Sequence, residues 1–315
     1  MNYALASWFI SYLLNAFTWL FLEEVPHKFN VPRVGPDAPF TTRLQEGIRL
    51  MSSPRGIGWS HEPTHALRPS PHPSTTRTQF VVRQLFHALV YLSALSLIGS
   101  TYIQQQSCFK YGGPSAGDPM YGLTRRSLNV IAFGVCAVSL LSMLYCVVTA
   151  TVVAFRMATP QECPPFFGSP VHSSTLRGFW GKTWHQLLRS VVSPYGRSLA
   201  GGVLRFQQGS IPYSLIQCYT AFFITGLLHE ISDTMTRQPE DRTLGFGSSL
   251  TFFLLQPVGI TIESVVIYIY QSQFRGGSKS WEKFVDFVWV ASWLVWCGPI
   301  FIDAIVSSRL TDYEN

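Results

Sequence analysis

The chain of 315 residues is 47% hydrophobic and 14% aromatic, and only 13% of it is charged, about half the share of a soluble domain. Its net charge of +6 is carried by basic residues in a few loops between apolar runs. That pattern orients membrane spans and argues against nucleic acid as a partner. Alternating strands of about ten residues are not seen, which excludes a transmembrane barrel. The fold class is an all-α integral membrane protein, a multi-span helical bundle of six spans plus re-entrant or interfacial helices.

In chain order, an apolar run over 3–22 has no basic leader and no clear cleavage site, and reads as a retained signal anchor. The 23–79 loop holds Lys28, Arg33, Arg43, Arg49, Arg55, Arg68 and Arg77, with an amphipathic stretch over 43–60. The Pro-rich stretch Pro63–Pro73 within it cannot be a regular helix or a central strand. His61, His65 and His72 lie in or near that stretch. His61 and His65 have ligand spacing on a helix, but the prolines oppose a helix and no Cys or carboxylate completes a site, so no metal is expected.

Spans over 80–103 and 128–155 flank a 104–127 loop with only Lys110, Arg125 and Arg126. Arg83 and His87, one turn apart near the start of the second span, face the interface. The 156–210 loop holds Arg156, Arg177, Lys182, Arg189, Arg197 and Arg205, and its 174–206 stretch is amphipathic. Spans over 211–232, 247–271 and 283–307 follow, each able to cover an apolar layer of about 30 Å. The positive-inside bias places the 23–79 and 156–210 loops in the cytosol, with the N-terminus and the 233–246 loop on the other side. Without an internal repeat, 1–315 reads as a single membrane domain, with 211–271 as its core helices. Cys108, Cys136, Cys146, Cys163, Cys218 and Cys297 form no CxxC pair and read as small hydrophobes, neither a disulfide frame nor a zinc site.

The apolar run from Ile211 ends in His229, Glu230 and Asp233. A polar side chain at membrane depth costs several kcal/mol unless it is paired or lines a wet cavity, and histidine moves protons near neutral pH. A His–Glu pair marking the helix exit is the structural alternative. On a helix Glu230 points about 100° from His229, whereas Asp233 at i+4 shares its side, and Thr225 and Gly226 lie one turn before it.

In Ser173-Ser-Thr-Leu-Arg-Gly-Phe-Trp-Gly-Lys-Thr-Trp-His-Gln-Leu-Leu-Arg189, Ser173 or Ser174 can cap a helix. Trp180 and Trp184 would then share a face with Arg177 and Leu188, the stripe of an interfacial helix. Arg177, Lys182 and Arg189 could receive the phosphates of a nucleotide-bearing cofactor. His185 and Gln186 add hydrogen-bonding groups. Glu263, mid-span, either pairs with a core polar group or lines a substrate pocket, the structural role being favoured. Gln256 and Pro257 suggest a kinked, locally polar helix, and Asp286 and Asp303, near span ends, read as solvated or snorkelling.

Together, Phe179-Trp-Gly-Lys-Thr-Trp-His185-Gln186 and Gly226-Leu-Leu-His229-Glu230 resemble the wax-synthase-like branch of the membrane-bound O-acyltransferases. Arg55-Gly-Ile-Gly-Trp59 and the segment from Phe253 to Glu263 resemble two further stretches of that family, in the same order. The Trp184-His185 ending is similar to that of the fungal subgroup of acetyltransferases acting on hydroxyls of terpenoids and meroterpenoids. Where family members carry more helices before the Arg-Gly-Ile-Gly-Trp stretch, this chain has one span, so either a more open cavity or a shortened relative is expected.

The resemblance implies a bundle around an acyl-transfer tunnel, with His229 as the catalytic histidine and His185 at the second active-site position. It implies donor contacts from Arg177, Trp180, Lys182, Trp184 and Arg189, and an acceptor pocket near Thr225, Gly226 and Glu263. The implied partners are acetyl-CoA or another acyl-CoA as co-substrate, a hydrophobic alcohol and the lipid bilayer, with no metal and no permanently bound cofactor. The implied location is the endoplasmic reticulum. With no Gly-x-Ser-x-Gly elbow and no cysteine beside a base, direct transfer with His229 as general base is expected. A wax-ester synthase, a proton-coupled transporter and an inactive scaffold remain open alternatives.

Overall fold

A computed structural model of the chain describes residues 3–22, 37–51, 55–63, 69–237, 247–273 and 280–308, with residues 35 and 53. Lys28, Arg33, His65 and Arg68, and the loop beyond 237, lie outside the described residues. The helices are α1 Tyr3–Phe17, α2 Phe40–Met51, α3 Arg77–Thr101, α4 Gly122–Ala154, α5 Leu176–Gly178, α6 Arg189–Arg197, α7 Ile211–Thr236, α8 Ser248–Gln273 and α9 Ser280–Ser307. Among the described residues, α1 with its π turn Thr18–Leu22, α3, α4, α7, α8 and α9 are long and apolar enough to cross a membrane.

Each span starts where local chemistry allows. Thr76 and Gln79 form a reciprocal capping box ahead of α3. Ser210 accepts the Tyr213 N–H at 3.3 Å, with Pro212 in the first turn of α7. The outer faces carry exposed side chains such as Val82, Phe86 and Leu89, which in water would be a liability and in lipid are the norm. Arg83 and His87 are exposed as well.

Neighbouring spans pack in the order α3, α4, α9, α8, α7, α1, and α6 lies against α7 and α1. The 103–121 segment closes one end. Asp303 of α9 accepts the Ala116 N–H at 2.9 Å and the Ser115 hydroxyl, while buried Asn129 accepts from the Tyr102 hydroxyl at 2.9 Å. Asp303 is therefore a tether for this segment, not the solvated or snorkelling group expected from its place near a span end.

The 43–60 stretch is not one helix. Helix α2 exposes Phe40, Leu44 and Ile48 at four-residue spacing and ends at Met51. The Arg55–Trp59 turn follows, and Gly56 and Gly58 there adopt φ of 64° and 77°, where a side chain would be strained. The 174–206 stretch is broken further: α5 runs into a π turn at Phe179–Thr183, Trp184 is extended, and α6 leads into a second π turn at Ser198–Val203.

Candidate active site

His229 projects from α7 into an aromatic enclosure. The Phe253 ring stacks on it at 4.6 Å between centroids and 11° between planes, and Phe301 meets it edge-on at 5.6 Å. Phe253 can approach because Gly226 has no side chain. A Cβ there would lie 3.0 Å from Phe253 Cβ and 3.2 Å from Leu250 Cα. The Nδ1 atom of His229 is hydrogen-bonded to the Tyr3 hydroxyl of α1.

The two carboxylates beside His229 are used elsewhere. Glu230 accepts the backbone N–H groups of Gly247 and Leu250 at 2.9 and 3.3 Å. Asp233 accepts the Ser249 hydroxyl, and Arg237 approaches Glu230 at 4.0 Å. Both carboxylates thus satisfy donors at the start of α8, where the helix dipole favours negative charge. The expected shared side of Asp233 and His229 does not bring them together.

His185 has a separate enclosure of Phe166 at 5.5 Å, Trp184 at 5.3 Å and Phe167 at 6.0 Å. The Arg-Gly-Ile-Gly-Trp stretch supports that enclosure from behind. Buried Arg55 donates to the Pro164 and Pro165 carbonyls at 3.1 and 2.9 Å and to the Tyr145 hydroxyl at 2.6 Å, and its guanidinium faces the Phe166 ring. Burial, then the nearby His229 and Arg55 charges, hold the His185 imidazole down at about 3. It is neutral at physiological pH, and its Nδ1 is buried with no hydrogen-bond partner.

The Trp-rich segment is not the continuous interfacial helix expected from its spacing. Thr175, not Ser173 or Ser174, caps it by accepting the Gly178 N–H at 2.9 Å. The Trp184 N–H bonds the Phe179 carbonyl at 2.7 Å across the π turn. The carbonyls left over find side chains. Gln186 donates to Trp180 and Trp184 at 3.1 and 2.6 Å, and Arg189 donates to Gly181 at 2.8 Å. Trp180 and Trp184 do meet, at 5.8 Å, but inside the bundle. Trp180 touches Phe222, Phe252 and Phe253 and donates to Gln256 at 3.1 Å. The interfacial-anchor reading does not hold for Trp180, which packs against α7 and α8 and has its indole N–H satisfied there, while Trp184 packs against Phe167, Phe179 and His185. Leu188 lies beyond the break at Trp184, off the expected stripe.

Both histidines line one cavity of about 2830 Å³, along with Arg177, Trp180, Trp184, Arg189 and Thr225. Lys182, Gly226 and Glu263 do not line it. Lys182 is exposed, and Gly226 acts through helix packing. Glu263 accepts the Leu176 and Arg177 N–H groups at 2.7 and 3.4 Å, which anchors the start of α5 to α8. Of its two expected uses, the structural one holds and the pocket one does not.

Tyr3 was missed by the sequence reading. The signal was present: Tyr3, Ser7, Ser11, Asn15 and Trp19 recur every four residues on an otherwise apolar span, and all five line the cavity.

Residues 163–255 match the family described as "Membrane bound O-acyl transferase family", a stretch that contains both histidines. The chain is 29% identical to the acetyltransferase eriL of Hericium erinaceus, over 86% of this chain and 68% of the relative. It is 27% identical to the acetyltransferase ple2 of Rhodocybe pseudopiperita, over 98% and 79%. It is 26% identical to the acetyltransferase ataH of Aspergillus terreus, over 84% and 89%. No solved structure matches significantly. A multi-pass helical bundle with these matches, its Trp-rich segment and membrane histidine inside the matched stretch, is similar to the membrane-bound O-acyltransferase family and is an acyltransferase enzyme.

Proposed function

We propose that the enzyme moves an acetyl group from acetyl-CoA to a hydroxyl of a hydrophobic, terpenoid-like alcohol, by direct transfer with His229 as general base. The observation that carries this reading is the opening of His229 and His185 onto one cavity. A volume of about 2830 Å³ exceeds the roughly 300–1,000 Å³ of a single small-molecule site, which favours a thioester and a lipophilic alcohol held together. The acetyl donor is supported by the names of the relatives, each an acetyltransferase.

An alcohol attacks a thioester poorly until its proton is removed. His229 takes that proton as the alcohol oxygen bonds the carbonyl carbon. The carbon–sulfur bond then breaks, and the proton passes from His229 to the departing thiolate. Neutral His185 keeps one ring N–H to donate to the carbonyl oxygen as charge gathers there. Arg177, exposed and on the cavity lining, meets the donor's phosphates together with Arg189. The 23–79 and 156–210 loops face the cytosol, where CoA is, and the alcohol arrives from the membrane of the endoplasmic reticulum. The proton-relay alternative loses support because Glu230 and Asp233 are spent on the start of α8.

The test incubates membranes holding the enzyme with radiolabelled acetyl-CoA or palmitoyl-CoA and a panel of terpenoid and fatty alcohols, alongside His229→Ala. Ester from acetyl-CoA that disappears in His229→Ala supports the reading. A long-chain preference overturns the acetyl assignment, and ester that survives the substitution overturns the base.

A further inference from the structure

Only an imidazole nitrogen without a proton can act as a base, so the His229 reading turns on which ring nitrogen carries the hydrogen. The ring cannot swap its nitrogens freely, being stacked on Phe253 at 4.6 Å and met edge-on by Phe301 at 5.6 Å. Nδ1 is engaged by the Tyr3 hydroxyl, which leaves Nε2 for the substrate.

A hydroxyl chain behind Tyr3 bears on the direction of the Tyr3–His229 bond. The Ser232 hydroxyl donates to the Leu228 carbonyl at 2.8 Å, and a carbonyl can only accept. With its one proton committed, Ser232 must accept from Ser7, whose hydroxyl lies 2.8 Å away. Ser7 has then spent its own proton and can offer the Tyr3 hydroxyl, one turn earlier on α1, only an acceptor. A base at Nε2 requires the ring proton on Nδ1, where the Tyr3 oxygen accepts it.

We infer that Tyr3 is a positioning residue: its hydroxyl fixes the proton of His229 on Nδ1 and keeps Nε2 bare for the substrate hydroxyl. This rests on the His229 base reading. It assigns to the α1 span a role in the chemistry that no carboxylate near His229 fills. The reverse bond, with Tyr3 donating to Nδ1, would put the ring proton on Nε2 and leave no base toward the substrate.

The first test needs no substrate. Solid-state 15N NMR of the histidine-labelled full chain in bilayers reads which nitrogen is protonated, with His229 assigned by the signal lost in His229→Ala. A proton on Nδ1 that shifts toward Nε2 in Tyr3→Phe is the expected result, and a wild-type proton on Nε2 overturns the proposal. The second test is kinetic, with acetyl-CoA and whichever alcohol of the panel is esterified. Tyr3→Phe should lower kcat by about 10- to 100-fold, the loss typical of a partner that orients a histidine, with KM for acetyl-CoA unchanged. Ser7→Ala should lower kcat by less, again with KM unchanged, and carries the kinetic test alone if Tyr3→Phe does not fold. An inactive His229→Ala beside a Tyr3→Phe within twofold of wild type sinks the positioning role and spares the base. An active His229→Ala sinks the base itself.

Discussion

His229 sits on an unbroken helix of 26 residues, whereas His185 sits in a segment where three residues of α-helix give way to a five-residue π turn. The helix holds His229 through its own backbone ladder and needs neighbours only to orient the ring. The π turn leaves carbonyls unpaired, and the segment depends on Gln186, Arg189, Glu263 and the Trp180–Gln256 bond for its shape. Two histidines that open onto one cavity are therefore held in different ways, and substitutions should separate them.

After the loss of activity at His229, the largest expected effect is at His185. His185→Ala should lower kcat by about 10²–10³-fold, the usual cost of losing one donor to a developing oxyanion. His185→Gln, which keeps an N–H, should recover part of that loss. Unchanged kcat in His185→Ala would remove His185 from the chemistry and leave its enclosure as packing.

Next comes the support of the segment. Glu263→Ala strands two backbone donors in the core and should cost about 1.5–3 kcal/mol, read as a lower unfolding temperature in detergent. Glu263→Gln, which still accepts, should cost less. A Glu263→Ala protein as stable as wild type would mean that the Trp-rich segment does not depend on α8.

The same contrast sets what could be read from the sequence. Six spans were legible because each holds a predominantly apolar stretch of about 20 residues, the signal the bilayer imposes. His229 was legible as an expensive polar group within one. The interior of 174–206 was not, because the Trp180–Trp184 spacing fits a helix face and nothing local announces a π turn. The carboxylates were half legible. Glu230, Asp233 and Glu263 were marked as costly, but their partners are backbone N–H groups and the Ser249 hydroxyl, 16 to 87 positions away, beyond what helical spacing can show. The Tyr3–Ser7–Ser11–Asn15 stripe is legible in principle, as polar residues at four-residue spacing on an apolar span.

A smaller effect follows from the depressed basicity of His185, at about 3 in the folded protein against about 6.5 unfolded. Between those values the unfolded chain binds a proton that the folded chain refuses. Stability is therefore full above about pH 6.5 and falls as pH drops, by about 1.4 kcal/mol per pH unit at most. His185→Phe should flatten that slope between pH 6.5 and 4.5 when unfolding is followed against pH. An unchanged slope would mean that His185 accepts its proton in place.

The smallest effect tests the helical side of the contrast. In Gly226→Ala the new Cβ meets Leu250 and Phe253 at 3.0 Å and the Leu250 backbone at 3.2 Å, so α8 must give by a few tenths of an ångström. Overpacking costs about 1–3 kcal/mol, offset by the gain of about 1 kcal/mol from replacing a helical glycine. The net loss should be about 1 kcal/mol. The displaced residue is Phe253, whose ring stacks on His229, so kcat should fall more than stability alone explains. A kcat that holds while stability drops would show that the His229 ring is set by Tyr3 and Phe301 without Phe253. The helix would then hold its histidine with even less help than the geometry gives it.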